Sequence, residues 1–269
     1  MSDSDKPLSL PGLMAMKARG EKIAALTAYD AAFAAAFDRA GIDLVLVGDS
    51  LGMVVQGRTH TLAVTLDQMV YHSACVAQGL RRAVLAVDLP FMSYRDNGRA
   101  LDSAARLVQE GGAQMVKLEG GRKRADCIRA LADQDIPVCA HLGLLPQSVH
   151  KLGGYHAQGR DERSAQTILE DAILLQEAGA SLLVLECIPA RLANEISAAL
   201  EIPTIGIGAG PDCDGQILVC YDLLGLTPGP RPRFTKNFLR GLDDIEAAAR
   251  RYATEVRTGQ FPAAEHSYS

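Results

Sequence analysis

Asp49, Ser50, Asp88, Lys117, Glu119, His141 and Glu186 stand at or just beyond the ends of short apolar runs. Runs of this kind, rich in Val, Leu and Ile, have the character of parallel strands buried on both faces. The carboxyl ends of such strands are where barrel enzymes keep their chemistry. Lys117 and Glu119 are two residues apart, so they point to the same side of their strand. Asp49, Glu119 and Glu186 end strands of equal parity, which fill a common layer of a barrel, and should converge on one mouth. Four acids with one lysine cannot neutralise one another, and ionised carboxylates are rarely buried without a cation. The set calls for a bound metal or for retained protons. All-oxygen donors suit a hard cation, Mg²⁺ first, because it accepts few protein carboxylates and fills its shell with water and substrate. His141 alone makes no zinc site. Taken singly, Asp49 or Asp88 reads more readily as a helix cap or turn former; it is the convergence that favours chemistry. Glu186, between Leu185 and Cys187, has the partly desolvated setting that suits a general base.

The elements that must hold these residues alternate along the chain. Strands are expected near 23–27, 43–47, 83–88, 114–119, 136–141, 181–186, 203–207 and 217–221, with helical patterns between them. Thr65-Leu66-Asp67-Gln68 has the form of a capping box opening a helix that runs to Gly79. Leu101, Ala104, Ala105 and Val108 form one helix face, and Ala165, Ile168, Leu169 and Ala172 form another. A last helix, about 241–257, should follow the barrel and pack outside it. The stretch from Glu110 to Glu119 is repeated from Glu177 to Glu186, and Asp135 to His141 is repeated from Glu201 to Ile207. Arg39 to Asp49 is a third, looser copy; each copy reads helix stop at Gly, buried strand, then an acid at the strand's carboxyl end, and the spacing holds two βα units. The fold expected is α/β, a single (β/α)₈ TIM barrel over residues 1–269, with residues 1–10 as a flexible tail. An open doubly wound sheet is the main rival.

The rest of the composition narrows the function. The chain has 27 Lys and Arg against 32 Asp and Glu, a net charge of −5, with no long basic run, so nucleic acid and anionic membranes are poor partners. No stretch of about 20 apolar residues is present, and the polar, acidic start is unlike a signal peptide, which points to the cytoplasm. The six cysteines form no C-x-x-C pair and read as buried free thiols. Gly206, Gly208 and Gly210 lack the third glycine of a dinucleotide loop and read better as a slim loop that leaves room for a ligand. The glycine-marked excursion around Gly153, Gly154 and Tyr155 is a lid or a structural loop. His60, His72, His150, His156 and His266 have no partner identifiable by spacing.

At these same residues the sequence resembles the ketopantoate hydroxymethyltransferase family. The resemblance rests on Leu-Thr-Ala-Tyr-Asp (26–30), Val-Gly-Asp-Ser-Leu-Gly-Met (47–53) and Asp-Leu-Pro-Phe-Met (88–92). It continues in Val-Lys-Leu-Glu-Gly-Gly (116–121), His-Leu-Gly-Leu (141–144), Leu-Leu-Val-Leu-Glu-Cys (182–187) and Ile-Gly-Ile-Gly-Ala-Gly (205–210). The resemblance implies a Mg²⁺-dependent transfer of a hydroxymethyl group from 5,10-methylenetetrahydrofolate to 3-methyl-2-oxobutanoate. It implies that Asp49 and Asp88 hold the metal, with Glu119 completing the shell directly or through water. Asp49, Ser50, Asp88, Lys117 and His141 would contact the keto acid, and Glu186 would remove the C3 proton. A (β/α)₈ barrel and a homodecamer come with the same resemblance. Ala140, Leu145, Arg231 and Arg233 depart from the pattern, away from the metal and base positions. The rivals are a Mg²⁺-dependent carbon–carbon lyase of the isocitrate-lyase type, for which no cysteine-bearing mobile loop is evident, and a non-catalytic keto-acid-binding barrel.

Overall fold

The computed structural model describes residues 6–227 and 231–268. Its eight strands are β1 (Ile23–Thr27), β2 (Leu44–Val47), β3 (Val84–Asp88), β4 (Met115–Glu119), β5 (Val138–Gly143), β6 (Leu182–Glu186), β7 (Thr204–Ile207) and β8 (Gly215–Leu218). They pair in sequence order, all parallel, and close with β8 against β1. The first helices are α1 (Leu10–Ala18), α2 (Ala31–Arg39), α3 (Leu51–Val54), α4 (Leu66–Gly79) and α5 (Asn97–Gln109). Then come α6 (Ala125–Ala132), α7 (Val149–Leu152), α8 (Glu162–Glu177), α9 (Ala190–Ala199), α10 (Cys220–Leu223) and α11 (Ile245–Arg257). This is the (β/α)₈ barrel expected, not an open sheet.

The strands are buried along their lengths, as near-continuous apolar runs require. The register then decides where the chemistry falls. Asp88 pairs with Lys117, Glu119 with His141, and Gly143 with Glu186, so the polar strand ends form one belt at the carboxyl end of the barrel.

The other end is closed by α1. The Leu8 amide donates to the Arg82 carbonyl just before β3, and Lys17 pairs with Asp214 just before β8 at 2.8 Å. Of the expected N-terminal tail, residues 1–5 lie outside the described residues, and α1 begins at Leu10 under a Ser9 cap.

Several boundaries differ from expectation for identifiable reasons. The eighth strand spans Gly215–Leu218, not 217–221. Its register runs from Ile23↔Gly215 to Leu26↔Leu218, after which the Cys220 amide donates to Thr27 Oγ1 at 3.0 Å and the chain turns into α10. A side chain at position 215 would come within 2.4 Å of the Ile23 carbonyl, which is why a glycine opens the strand. Helix α5 buries Ala100, Ser103, Ala104 and Leu107, a face rotated by one residue from the one read by periodicity. Ser103 Oγ donates to the Ser93 carbonyl, which holds that face inward and leaves Val108 exposed. In α8, Ala172 and Leu175 are buried while Ala165, Ile168 and Leu169 pack partly against the core. The capping box at Thr65 and Gln68 is formed, and α4 ends at Gly79 as expected.

Helix α11 starts at Ile245, capped by Asp244, and lies against α2 and β1. Its Tyr252 is fully buried, with the hydroxyl set between the carbonyls of Ala25 and Gln216 at 3.0 and 2.8 Å. Tyr252 therefore pins the C-terminal helix across the closing seam of the barrel. Replacing it by Phe leaves those carbonyls without their donor, so Tyr252→Phe should lower unfolding stability by about 1–2 kcal/mol in urea denaturation with an unchanged m-value. An unchanged midpoint would mean that the hydroxyl contributes nothing to closing the barrel.

Candidate active site

The belt of strand ends brings together six of the seven side chains singled out by sequence, and the seventh, Ser50, stands beside them. Asp49, Asp88, Lys117, Glu119 and His141 are all at least 95% buried, and Glu186 is the most open of the set, with its side chain 15% exposed. Asp88 sits at the centre. Its Oδ1 takes the Lys117 ammonium at 2.5 Å, and its Oδ2 accepts the Asp49 amide at 3.0 Å. Ser50 follows on the first turn after β2, and its Oγ shares a 2.8 Å hydrogen bond with the Tyr29 hydroxyl. A side chain at Gly48 would meet Ser50 Oγ at 2.8 Å and Asp88 Oδ2 at 3.4 Å, so the chain reaches this corner only through a glycine.

On the far side, His141 lies between two glutamates. Its Nε2 is 3.2 Å from Glu186 Oε2 and its Nδ1 is 3.6 Å from Glu119 Oε1, and neither contact has hydrogen-bond geometry. They become ion pairs when the imidazole is protonated. Glu186 is placed by the turn that follows β5: Gly143 has φ +94°, and any side chain there would fall 2.1 Å from the Glu186 carbonyl. The Leu144 amide donates to that same carbonyl at 2.8 Å. Cys187, next along, is held in a left-handed conformation at φ 49°, an uncommon state for a residue with a side chain and one that clusters at functional sites.

Electrostatics separates the acids. Burial pushes the Asp49 carboxyl well above its ordinary pKa, and the charges of Asp88 and Glu119 push it further. Burial would also raise Glu119, but His141 and Lys117 outweigh it and hold that carboxyl below its usual range. For His141, burial and Lys117 favour the neutral ring, yet the two glutamates prevail and raise its pKa. Burial opposes the charge on Lys117, and Asp88, Glu119 and Asp49 more than restore it. Of Asp49 and Glu119, Asp49 is thus the carboxylate less compensated by the protein.

Three further residues complete the site that sequence reasoning missed: Tyr29, Tyr94 and Gln147. The Gln147 side chain donates to Asp49 Oδ2 at 2.9 Å, its backbone amide donates to Glu119 Oε2 at 3.0 Å, and it accepts from the Tyr94 hydroxyl. Gln147 follows Pro146 in the loop after β5, so a search for polar residues in strand-end loops, not only at strand ends, would have found it. Tyr155, from the glycine-marked excursion, donates to Met53 Sδ at 3.5 Å, and its phenol is raised by burial and by Glu186, Asp49 and Glu119. That excursion overhangs the acids. In the glycine loop after β7, Phe234 and Tyr268 pack over Gly208, where a side chain would come within 3.0 and 3.1 Å of them.

Among the described residues, no group of three or more His, Cys, Asp or Glu is arranged to hold a metal ion by itself. No helix of the described residues is long and apolar enough to cross a membrane. All six cysteines are free, five of them buried. Four of the other histidines have local roles: His72 contacts the Tyr29 carbonyl, His60 packs edge-on to His150, and His266 accepts from the Ala263 amide. A cavity of about 970 Å³ at the opposite end of the barrel is lined by Asp43, Arg82 and Arg257, whose charged groups pair with one another.

Comparison with known proteins agrees with this picture. Residues 7–264 match the family model described as ketopantoate hydroxymethyltransferase. A Methylococcus capsulatus protein named 3-methyl-2-oxobutanoate hydroxymethyltransferase is 59% identical over 262 residues, covering 97% of each chain. A Nitrosococcus oceani protein of the same name is 56% identical, covering 97% of this chain and 99% of the relative. Among solved structures, phosphonopyruvate hydrolase with oxalate and Mg²⁺ aligns with a TM-score of 0.61 at 13% identity, over 79% of this chain and 80% of the other. 2,3-Dimethylmalate lyase, a member of the PEP mutase/isocitrate lyase superfamily, aligns at 0.59 and 18% identity, over 80% and 82%. At such identities these structures show a shared fold alone.

The raised Asp49 has a consequence for stability. A folded-state pKa above the ordinary 3.8 means that the native state favours the proton, so the ionised form destabilises the fold at neutral pH and the penalty fades as pH falls through the folded value. In protein freed of divalent ions, Asp49→Asn should raise stability at pH 7 by about 0.5–2 kcal/mol, with the gain shrinking in acid. A loss of stability at pH 7 would contradict this electrostatic account.

Proposed function

Because the chain belongs to the ketopantoate hydroxymethyltransferase family and is a transferase of that kind, we propose that it moves a hydroxymethyl group from 5,10-methylenetetrahydrofolate to 3-methyl-2-oxobutanoate, with Mg²⁺ in the site. The product would be ketopantoate, for pantothenate biosynthesis. The observation that carries this reading is the charge deficit at Asp49, a buried carboxylate that lies beside two other acids and accepts one hydrogen bond from a neutral amide. A divalent cation is the species that would relieve it. Oxygen donors without a ready-made cage fit Mg²⁺, which keeps several positions for water and substrate. Asp49 and Asp88 would hold the ion, with Glu119 joining directly or through water.

When bound, Mg²⁺ would act as a Lewis acid toward the chelated α-keto acid. The remaining work falls to the protein. Lys117, kept charged by its acidic neighbours, would meet the substrate carboxylate, and Asp88 would lie against the substrate. Ser50, steadied by Tyr29, offers a hydroxyl to the same ligand, and His141 lines the pocket between the two glutamates. Glu186 retains exposure to the mouth, so it can take the C3 proton onto a carboxylate oxygen while the C–H electron pair stays on the substrate as an enolate. C3 then bonds to the one-carbon unit and water supplies the product hydroxyl, while both C–N bonds of the methylene bridge break; the C3 proton and one proton from water end on the two folate nitrogens, so that tetrahydrofolate leaves. Binding both partners in one mouth makes that bimolecular step effectively intramolecular. The reading extends to a cytoplasmic homodecamer, as the family resemblance implies.

Steady-state assays with both substrates test it. Ketopantoate and tetrahydrofolate should appear in equal amounts, EDTA should abolish turnover, and added Mg²⁺ should restore it. Lys117→Met should raise KM for the keto acid by about 10- to 100-fold, the usual cost of losing a charge-assisted contact. Full turnover in EDTA, or an unchanged KM in Lys117→Met, would count against the assignment.

A further inference from the structure

We propose that Gln147 is a positioning residue for the acid cluster, fixing where Asp49 and Glu119 present their carboxylates, with Tyr94 fixing Gln147 in turn. The expected effect on metal binding rests on the Mg²⁺ reading of the site.

A side-chain amide has two N–H donors and one carbonyl acceptor. In Gln147 all three are engaged. One contact runs from Nε2 to Asp49 Oδ2 at 2.9 Å, a second from Nε2 to the Leu89 carbonyl at 3.0 Å, and Oε1 accepts from the Tyr94 hydroxyl. The backbone amide of the same residue reaches Glu119 Oε2 at 3.0 Å. One residue in the loop after β5 thus ties together the carboxyl ends of β2, β3 and β4. Gln147 is 7% exposed and Tyr94 is 3% exposed, so water does not compete for these bonds.

The orientation of the amide is decided by its partners. Turning it over would set Oε1 against the Asp49 carboxylate and the Leu89 carbonyl, and would point Nε2 at the Tyr94 hydroxyl. Favourable contacts to Asp49 and Leu89 would become two repulsions. Asp49 and Leu89, which can only accept, thereby select the flip, and the Tyr94 hydroxyl then anchors it by donating to Oε1. Among the described residues, Gln147 is the one that hydrogen-bonds to the Asp49 side chain, and it therefore sets the direction of that carboxylate. The loop itself is stiff: Pro146 opens a tight turn, and the Ser148 amide closes onto the Leu145 carbonyl at 2.8 Å.

Outer partners of metal-binding carboxylates typically change metal affinity or activity by 10- to 100-fold when removed. The test uses the purified full-length protein and Mn²⁺ alone, with free Mn²⁺ counted by electron paramagnetic resonance, beside thermal melting and steady-state kinetics. Gln147→Met keeps the side-chain length and the backbone bond to Glu119 but removes the amide. It should weaken Mn²⁺ binding about 10- to 100-fold and raise KM for the keto acid more than it lowers kcat. Tyr94→Phe keeps Gln147 but frees its amide, and should weaken Mn²⁺ binding by about 3- to 10-fold. If Gln147→Met does not fold, Tyr94→Phe decides alone. A lowered melting temperature with unchanged Mn²⁺ affinity in the folded variants would reduce Gln147 to a loop tether and overturn the proposal. Wild-type protein that binds no Mn²⁺ would overturn it as well, together with the metal reading; wild-type binding with unaffected variants would overturn the positioning role only.

Discussion

Carboxylates gathered in a water-poor barrel mouth repel one another, and the Lys117 ammonium against Asp88 is the charge with which the protein answers them. That contact orders the neighbouring acids. Asp88 is neutralised and in turn holds the Asp49 amide, so it joins β2 to β3. Glu119 turns to His141, and His141 reaches on to Glu186. Asp49 is left over, buried and without a cation of its own, with its carboxyl raised accordingly. The site is short of positive charge at one defined place, and this deficit is the physical reason to seat a divalent ion there.

The two ends of the barrel show the difference between a structural and a functional acid. At the amino end, Asp43 is fully buried, yet Arg82 and Arg257 both pair with it and the Ala24 amide donates to it. The charge of Asp43 is answered by the protein itself. At the carboxyl end, the acids exceed the cations and Glu186 remains open to the mouth. The fold in general keeps stability at the floor and chemistry at the top, and in this chain the acids in excess of cations lie at the top. The strands make the division possible, because a parallel register lines their ends up in one belt while the helices cover the outside.

The legible part of this molecule was the part governed by periodicity. Buried parallel strands announce themselves as apolar runs, and the polar residues that end them are the ones whose presence in a core must be explained. Asp49, Asp88, Lys117, Glu119, His141 and Glu186 could therefore be placed at one mouth from the amino-acid pattern. Features set by tertiary contacts were not legible. The buried face of α5 is turned by a residue because Ser103 bonds to Ser93, and β8 starts early because Gly215 must pass close to Ile23. Gln147 and Tyr94 escaped notice for a related reason. They sit in loops, carry no charge, and matter through partners that only the fold brings near.

The claim on which the account depends is that Glu186 takes a proton from the keto acid beside a metal held by the neighbouring aspartates. Deuterium exchange at C3 of 3-methyl-2-oxobutanoate, followed by NMR, isolates that step from the rest of the reaction. With Mg²⁺ present the wild-type protein should exchange the C3 proton, EDTA should stop the exchange, and Glu186→Gln should slow it by roughly 10²- to 10⁴-fold, the usual contribution of a general base. Exchange at the wild-type rate in Glu186→Gln would remove Glu186 from the role of base. No exchange in wild-type protein, even with Mg²⁺ and tetrahydrofolate supplied, would contradict the proton-abstraction mechanism itself.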